Sequence, residues 1–300
     1  MIAIKNVRKA FEDLEAVKNV SLHIKKGSIY GLLGSNGAGK TTLLKILAGI
    51  YKQDSGEIRI DNEPVFENTA IKQRLIFLPD TLYFFSQYTI KQMADYYRSI
   101  YPTWNEQRYE RLAEVFPIDP SKKIHRLSKG MQRQVAFWLT FSTMPDVLIM
   151  DEPIDGLDAV MRQKIKNLLV QDVADRDMTV LISSHNLREV EDICDHIGIL
   201  HHGEMMIERD LDDLKSDIHK IQVAFKSGAI PEKFLQDLDV LYQETRGSVL
   251  LCIVRGNETA VSEKIAAFHP VLFDLLPLTL EEIFIYEMGD VGYAIESIMA

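Results

Sequence analysis

The sequence predicts an α/β fold: a mostly parallel sheet covered by helices on both faces, followed by a small α+β unit. Three observations carry that expectation. Short apolar runs alternate with helix-length segments along the first two hundred residues. The runs at 28–33 and 147–150 are apolar nearly throughout, as strands buried on both faces are. From about residue 213 the order of elements becomes β-α-β-β-α-β, the order of a ferredoxin-like domain.

In chain order, apolar and polar residues first alternate through Ile2 and Ile4, then Val20, Leu22 and Ile24, before the buried strand at 28–33. A glycine-rich turn leads into a helix from Lys40 to about Gly49, a glycine placed to stop it. Ser55 and Gly56 begin a hairpin that turns near Asp61 and Asn62. From Leu82 to Arg126 the pattern is helical. Thr89 is placed to cap a helix carrying Ile90, Met93, Tyr97 and Ile100, and Thr103 one carrying Tyr109, Leu112 and Phe116. A long helix follows Ser128, then the strand 147–150, a helix over 159–172, the strand 179–183 and a helix from Asn186. The second unit reads as strand 221–225, helix 231–238, strands 240–245 and 249–254, helix 259–268, strand 271–276 and a final helix from Thr279. The expected domains are 1–212, with a helical subdomain at about 82–145, and 213–300.

With 34 basic and 44 acidic side chains among 300 residues, the net charge is −10. That balance argues against nucleic acid as a partner, since phosphate backbones are bound by basic faces; a local basic pocket remains compatible with it. Cys194 and Cys252, the two cysteines, lie in apolar stretches and read as small buried hydrophobes rather than a disulfide or metal ligands. The first residues enter a strand pattern directly, with no signal peptide. The longest apolar runs, such as 135–141, fall short of the ~18 residues that span a bilayer. Work at a membrane is therefore expected to reach the lipid only through a partner.

The chemistry begins at Gly34, Ser35, Asn36, Gly37, Ala38, Gly39, Lys40 and Thr41, which fit G-x-x-x-x-G-K-S/T between a buried strand and a helix, with Thr42 following. Glycines let such a loop turn its backbone N–H groups inward around phosphates. Lys40 supplies a point charge, the helix N-terminus its dipole, and Thr41 a hydroxyl for Mg²⁺. The strand at 147–150 runs into Asp151 and Glu152. Asp151 at the strand end suits a Mg²⁺ ligand, and Glu152, expected to point the other way, suits polarising an attacking water. Alone, the pair equally fits an acidic loop after a core strand. Ser128 and Gly130 look like a helix N-terminus with free amides, or simply a capped helix. His185 follows the strand 179–183, at a carboxyl end where ligands collect in open α/β sheets; a turn residue fits there as well.

Taken together and in order, these motifs resemble the ATP-binding cassette (ABC) ATPases over roughly residues 1–212. Gly34 to Thr41 is similar to the Walker A loop and Leu127 to Gln132 to the signature motif. Val147 to Asp151 is similar to the Walker B strand, Glu152 to the catalytic glutamate, Asp155 to Asp158 to the D-loop and His185 to the switch histidine. Phe11 stands where the family has an aromatic on adenine. The resemblance implies ATP and Mg²⁺ as cofactors and two cassettes, alike or homologous, closing head to tail around ATP. It also implies a separate transmembrane subunit, with the chain on the inner face of the cell membrane. Four positions depart from the pattern. Lys129 and Met131 replace glycine and glutamine, Ile154 replaces a small polar residue, and Asp80 occupies the Q-loop position, where glutamine is usual. Asp80 is a candidate Mg²⁺ ligand whose charge favours the cation; it also fits a cap for the helical segment after it. The aromatics Tyr83, Phe84 and Phe85 next to it stand where transporters of the family receive a coupling helix from the membrane subunit, and fit internal packing of the helical subdomain equally; the run 280–284 resembles the end of ATPase subunits of exporters with separate membrane proteins. The alternative class is a soluble ABC ATPase working on DNA or the ribosome; it calls for coiled coils, a second cassette or basic surfaces, none of which the sequence shows.

Overall fold

The spacing of apolar residues explains each of three sheets. The computed structural model describes residues 1–226, 230–231, 233–279 and 282–283, in two units, Met1–Glu208 and Arg209–Ala300.

In the first unit, β1 (Ile2–Phe11), β2 (Leu14–Ile24), β4 (Ser55–Ile60) and β5 (Glu63–Pro64) form an antiparallel sheet in the order β2-β1-β4-β5. Ile2, Ile4, Val20, Leu22, Ile24, Ile58 and Ile60 recur at every second position and are all buried. The β4–β5 turn has positive φ at Asp61 and Asn62, the pair of conformations a tight hairpin needs. The second sheet orders its strands β10-β9-β3-β8-β7-β6, from β3 (Ile29–Leu33), β6 (Leu75–Leu78), β7 (Val147–Asp151), β8 (Thr179–Ser184), β9 (His196–His201) and β10 (Glu204–Asp210). Pairings β3–β8, β3–β9, β6–β7 and β7–β8 are parallel. Every residue of β3, β7 and β8 is buried, as a parallel sheet covered on both faces requires. Leu43 and Leu47 of α1 (Lys40–Leu47) pack in one cluster with Leu32, Val147, Ile149 and Leu181 of this sheet and with Ile2, Val17 and Ile60 of the antiparallel one.

Helices α2 (Thr69–Lys72), α3 (Ile90–Ile100), α4 (Glu106–Val115) and α5 (Lys129–Ser142) follow. Thr89 caps α3 in a full capping box with Gln92. The second expected cap moves. The Thr103 hydroxyl donates to the Thr143 carbonyl (2.5 Å), and Asn105 caps α4 by accepting from the Arg108 amide (2.9 Å). Trp138 of α5 stacks on Tyr109 of α4 (centroids 4.8 Å apart) and donates its indole N–H to the Tyr109 carbonyl. Helix α6 (Ala159–Arg176) runs four residues past its expected end. The buried Asp172 there is paired with Arg176 one turn on and with Arg108 of α4, which keeps the last turn helical. The helix from Asn186 is one short turn, α7 (Leu187–Val190).

The second unit contains α8 (Leu211–Ser216), β11 (Ile218–Ala224), β12 (Asp239–Arg246), β13 (Val249–Arg255), α9 (Glu258–Ala266) and β14 (Leu272–Leu276). Its sheet has the order β12-β13-β11-β14 with all neighbours antiparallel, the arrangement two interleaved β-α-β crossovers produce. The helix expected over 231–238 is a run of turns among the described residues, with Phe234 N–H bonded to the Pro231 carbonyl (2.9 Å). Phe234 is fully buried against Phe225 and Phe268, and anchoring one ring needs no more than a turn. The expected division at 212/213 falls inside α8. The final helix from Thr279 and the run 280–284 lie mostly outside the described residues.

Candidate functional site

Strand register builds the site. Leu33 ends β3 opposite Ser184 of β8, and Asp151 ends β7 opposite Ser183 of the same strand. The segments that begin at Gly34, Glu152 and His185 therefore leave the sheet along one edge, the carboxyl ends where open α/β sheets bind ligands. A cleft of about 650 Å³ opens there. It is lined by residues 35–42, Asp80, Asp151 and Glu152, and by Asp13, Leu14, Glu15, Ala16, Lys18, His202 and Gly203.

The loop from Gly34 to Gly39 takes a shape closed to other residues at two points. A Cβ on Gly34 would lie 2.2 Å from the Leu200 carbonyl oxygen, and one on Gly39 (φ 105°) 2.3 Å from that of Ala16. Gly39 occupies the N-cap of α1, which has no side-chain cap and no acidic residue in its first turn, so the amides of that turn remain for an anion. Lys40 is buried; its Nζ donates to the carbonyls of Gly34 (2.6 Å) and Ser35 (3.2 Å) and lies 3.5 Å from Glu152 Oε1. The ammonium is thereby held over the loop instead of swinging in solvent.

Asp151 is buried and accepts from the Thr41 hydroxyl (2.8 Å) through Oδ2 and from the Ser183 hydroxyl (2.6 Å) through Oδ1. Strand alternation predicts that Glu152 points away from Asp151, but both carboxylates line the cleft. The reason is local: Glu152 has a φ of 46°, which ends the pleat and turns the chain back. A non-glycine residue held there costs on the order of 1–3 kcal/mol, so its neighbours must enforce it. The Glu152 amide donates to the Ser183 carbonyl (3.2 Å), its carbonyl accepts from Arg133 Nη1 (2.5 Å), and its Oε2 lies 2.9 Å from His185 Nδ1. Ligand atoms of Glu152, Asp155 and His185 converge within 4.8 Å of one another.

Five expected site residues do not line this cleft: Gly34 and His185 adjoin it through Lys40 and Glu152, whereas Phe11, Ser128 and Gly130 stand apart. Phe11 is not in its wall; its ring lies edge-on to Tyr51 with centroids 5.5 Å apart. Ser128 caps its own helix, accepting from the Met131 amide (3.3 Å). Gly130 lines a second cleft of about 350 Å³ with Asp80, Thr81, Leu82, Lys129, Gln132, Arg133, Asp155 and Gly156. Gly130 is packed tightly there, since a Cβ would meet the Gly156 carbonyl oxygen at 2.9 Å. Asp80 borders both clefts, and its backbone carbonyl (2.6 Å) and Oδ1 (3.2 Å) accept from Arg133 Nη2. Its reading as a helix cap fails, because no helix begins until α3, ten residues on. Ile154 is buried, which accounts for an apolar residue at that position. Sequence reasoning passed over Ser183 and Arg133. Ser183 carried a usable signal as a hydroxyl directly after the apolar run 180–182 of a buried strand. Arg133 carried little, because two of its three bonds go to backbone carbonyls.

Comparison with known proteins agrees with this geometry. The ABC transporter family profile matches residues 17–155. The ABC transporter ATP-binding protein YtrB of Bacillus subtilis is 36% identical over 292 residues, 96% of this chain and 98% of YtrB. The bacitracin transport ATP-binding protein BcrA of Bacillus licheniformis is 30% identical over 72% of this chain and 71% of BcrA. Among solved structures, the dimeric ATP-binding cassette MJ0796, in a post-hydrolysis state bound to ADP and Pi, aligns with a TM-score of 0.64 at 25% identity. That alignment covers 70% of this chain and 99% of MJ0796.

Proposed function

The chain belongs to the family of ABC transporter ATP-binding proteins, and on that premise we propose that it is the motor of an exporter whose membrane-spanning part is a separate subunit. Binding and hydrolysis of ATP come with the family; the roles of individual residues, the partners and the direction of transport are the proposal. The observation that carries it is the exposed aromatic surface after Asp80. Tyr83 is 85% exposed, and Phe85, Tyr88 and Tyr96 are exposed beside it, with Phe85 centred 5.0 Å from Tyr88 and 4.8 Å from Tyr96. A cluster of exposed rings fits a protein partner. No helix among the described residues is long and apolar enough to cross a membrane, so the spanning role falls to that partner. BcrA is named for the transport of an antibiotic, which favours export. The chain then works in the cytoplasm, where ATP is, on the inner face of the membrane.

In this reading the amides at the start of α1 and the Lys40 ammonium bind the phosphates of ATP. Thr41 and Asp151, hard oxygen donors 2.8 Å apart where an exposed threonine meets a buried carboxylate, fit Mg²⁺, and Asp80 stands at the same cleft. When bound, Mg²⁺ supplies positive charge against that developing on the phosphates. Glu152 orients the attacking water and accepts its proton, and His185 steadies the Glu152 carboxylate from 2.9 Å. Ser128 and Gly130 lie apart from their own Walker A cleft, which leaves their helix N-terminus for the ATP of a second cassette in a head-to-tail dimer. Closure follows ATP only by its greater affinity for the joined state.

Affinity purification of the chain from detergent-solubilised membranes tests the proposal. A polytopic membrane protein in fixed ratio, raising the ATPase rate, is expected. Recovery with ribosomes or DNA and no membrane protein would replace it with a soluble ATPase.

A further inference from the structure

Arg133 reaches two loops with one side chain. It lies on α5, and its side chain is 11% exposed. Nη1 donates to the Glu152 carbonyl (2.5 Å), and Nη2 donates to the Asp80 carbonyl (2.6 Å) and to Asp80 Oδ1 (3.2 Å). Those acceptors follow β7 and β6, adjacent parallel strands. A guanidinium is a rigid planar fork with five donors, so bonds at its two terminal nitrogens fix the separation of the two loops. One of those bonds falls on a residue whose backbone needs holding, since Glu152 sits at φ 46° with its amide on the Ser183 carbonyl.

We infer that Arg133 is a positioning residue for hydrolysis, holding Glu152 in its left-handed conformation and tying it to the loop at Asp80. The inference rests on Glu152 being the residue that orients the water. Its consequence is mechanical coupling. The loop that begins at Asp80 carries exposed Tyr83 and Phe85, so a partner that shifts this loop moves the Asp80 carbonyl, the guanidinium and the Glu152 peptide together. The Asp80 carboxylate is thereby engaged with Arg133 rather than with Thr41 or Asp151, whose own bond is to each other.

The test compares Arg133→Met and Arg133→Lys in the full chain, each in the natural and in the Glu152→Gln background, measuring kcat, ATP affinity and thermal unfolding. Arg133→Met is expected to lower kcat about tenfold or more while ATP affinity changes less than about threefold. In the Glu152→Gln background the same change is expected to lower the residual rate less than about twofold, because the carboxylate it positions has gone. Arg133→Lys, whose ammonium lacks the fork, is expected to recover part of the rate; if Arg133→Met does not fold, the lysine variant carries the same comparison. Asp80→Asn, which keeps the backbone acceptor, is expected to cost about two- to fivefold. Equal losses in both backgrounds, or a loss of ATP affinity that accounts for the whole effect, would make Arg133 merely structural and overturn the inference. A slow Glu152→Gln beside a normal Arg133→Met removes the Arg133 role alone. A Glu152→Gln that turns over at the natural rate removes the base assignment on which it rests.

Discussion

The two units differ in what they bury. In the first, Lys40, Asp151, Ser183 and Ser184 are buried together at the carboxyl ends of β3, β7 and β8, each with hydrogen-bond partners. In the second, the described residues bury one polar side chain, His219, whose Nε2 lies 2.9 Å from the Gly256 carbonyl oxygen. Its core is otherwise dry: Ile221, Val223, Leu250, Cys252 and Val254 of the sheet, Val261 and Ile265 of α9, and Phe234. Burying a polar group costs free energy unless its bonds are replaced. A fold therefore carries several together only where they are used or fully satisfied. The contrast is between a cluster of buried polar side chains at the parallel sheet and, among the described residues, a second unit whose core is apolar.

The largest expected effect would break the contrast if it failed. Glu152→Gln removes the proton acceptor and keeps its size, so ATP turnover is expected to fall by ~10²-fold or more with ATP affinity retained. Trapped ATP should then favour a dimer, read by light scattering. Near-natural hydrolysis in steady-state assays would take the base role away from this carboxylate.

The next effect belongs to the other unit. Phe234→Ala empties the centre of its ring cluster, and cavities of this kind cost ~3–5 kcal/mol. Calorimetry is expected to show that loss, while ATP binding to the first unit is unchanged. If nucleotide affinity fell in proportion, ATP binding would depend on the core of the second unit.

Smaller again is Lys40→Ala. Loss of a charged donor to phosphate is worth ~1.5–3 kcal/mol, or roughly ten- to a hundredfold in ATP affinity. Titration with a fluorescent nucleotide measures it, and undiminished affinity would remove Lys40 from the phosphate site.

The smallest expected change sharpens the comparison most. A chain ending at Asp210, the last residue of β10, is expected to bind ATP within about threefold of the whole chain, because among the described residues none beyond Gly203 lines the cleft. A truncated chain that is soluble, folded by circular dichroism and unable to bind ATP would make the second unit part of the catalytic fold.

The sequence by itself determined the order and type of most elements, because their signals are local. The unbroken apolar runs of β3, β7 and β8, the capping box at Thr89 and the glycine after α1 act through neighbours a few residues away. It also marked the glycine-rich loop at 34–41 and the carboxylates at 151 and 152, which the structure brings to one cleft. Only the tertiary structure decided how those residues face one another. Alternation along β7 predicts opposite directions for Asp151 and Glu152, and the left-handed turn at Glu152 brings them to one cleft. The cap of α4 passed from Thr103 to Asn105 because a carbonyl forty residues away claims the threonine hydroxyl. Arg133 gained its role from the carbonyls of Asp80 and Glu152. Every residue carries a backbone carbonyl, so residue identity does not reveal which ones a distant guanidinium will meet; the position of Arg133 on α5, within reach of both loops, selects them.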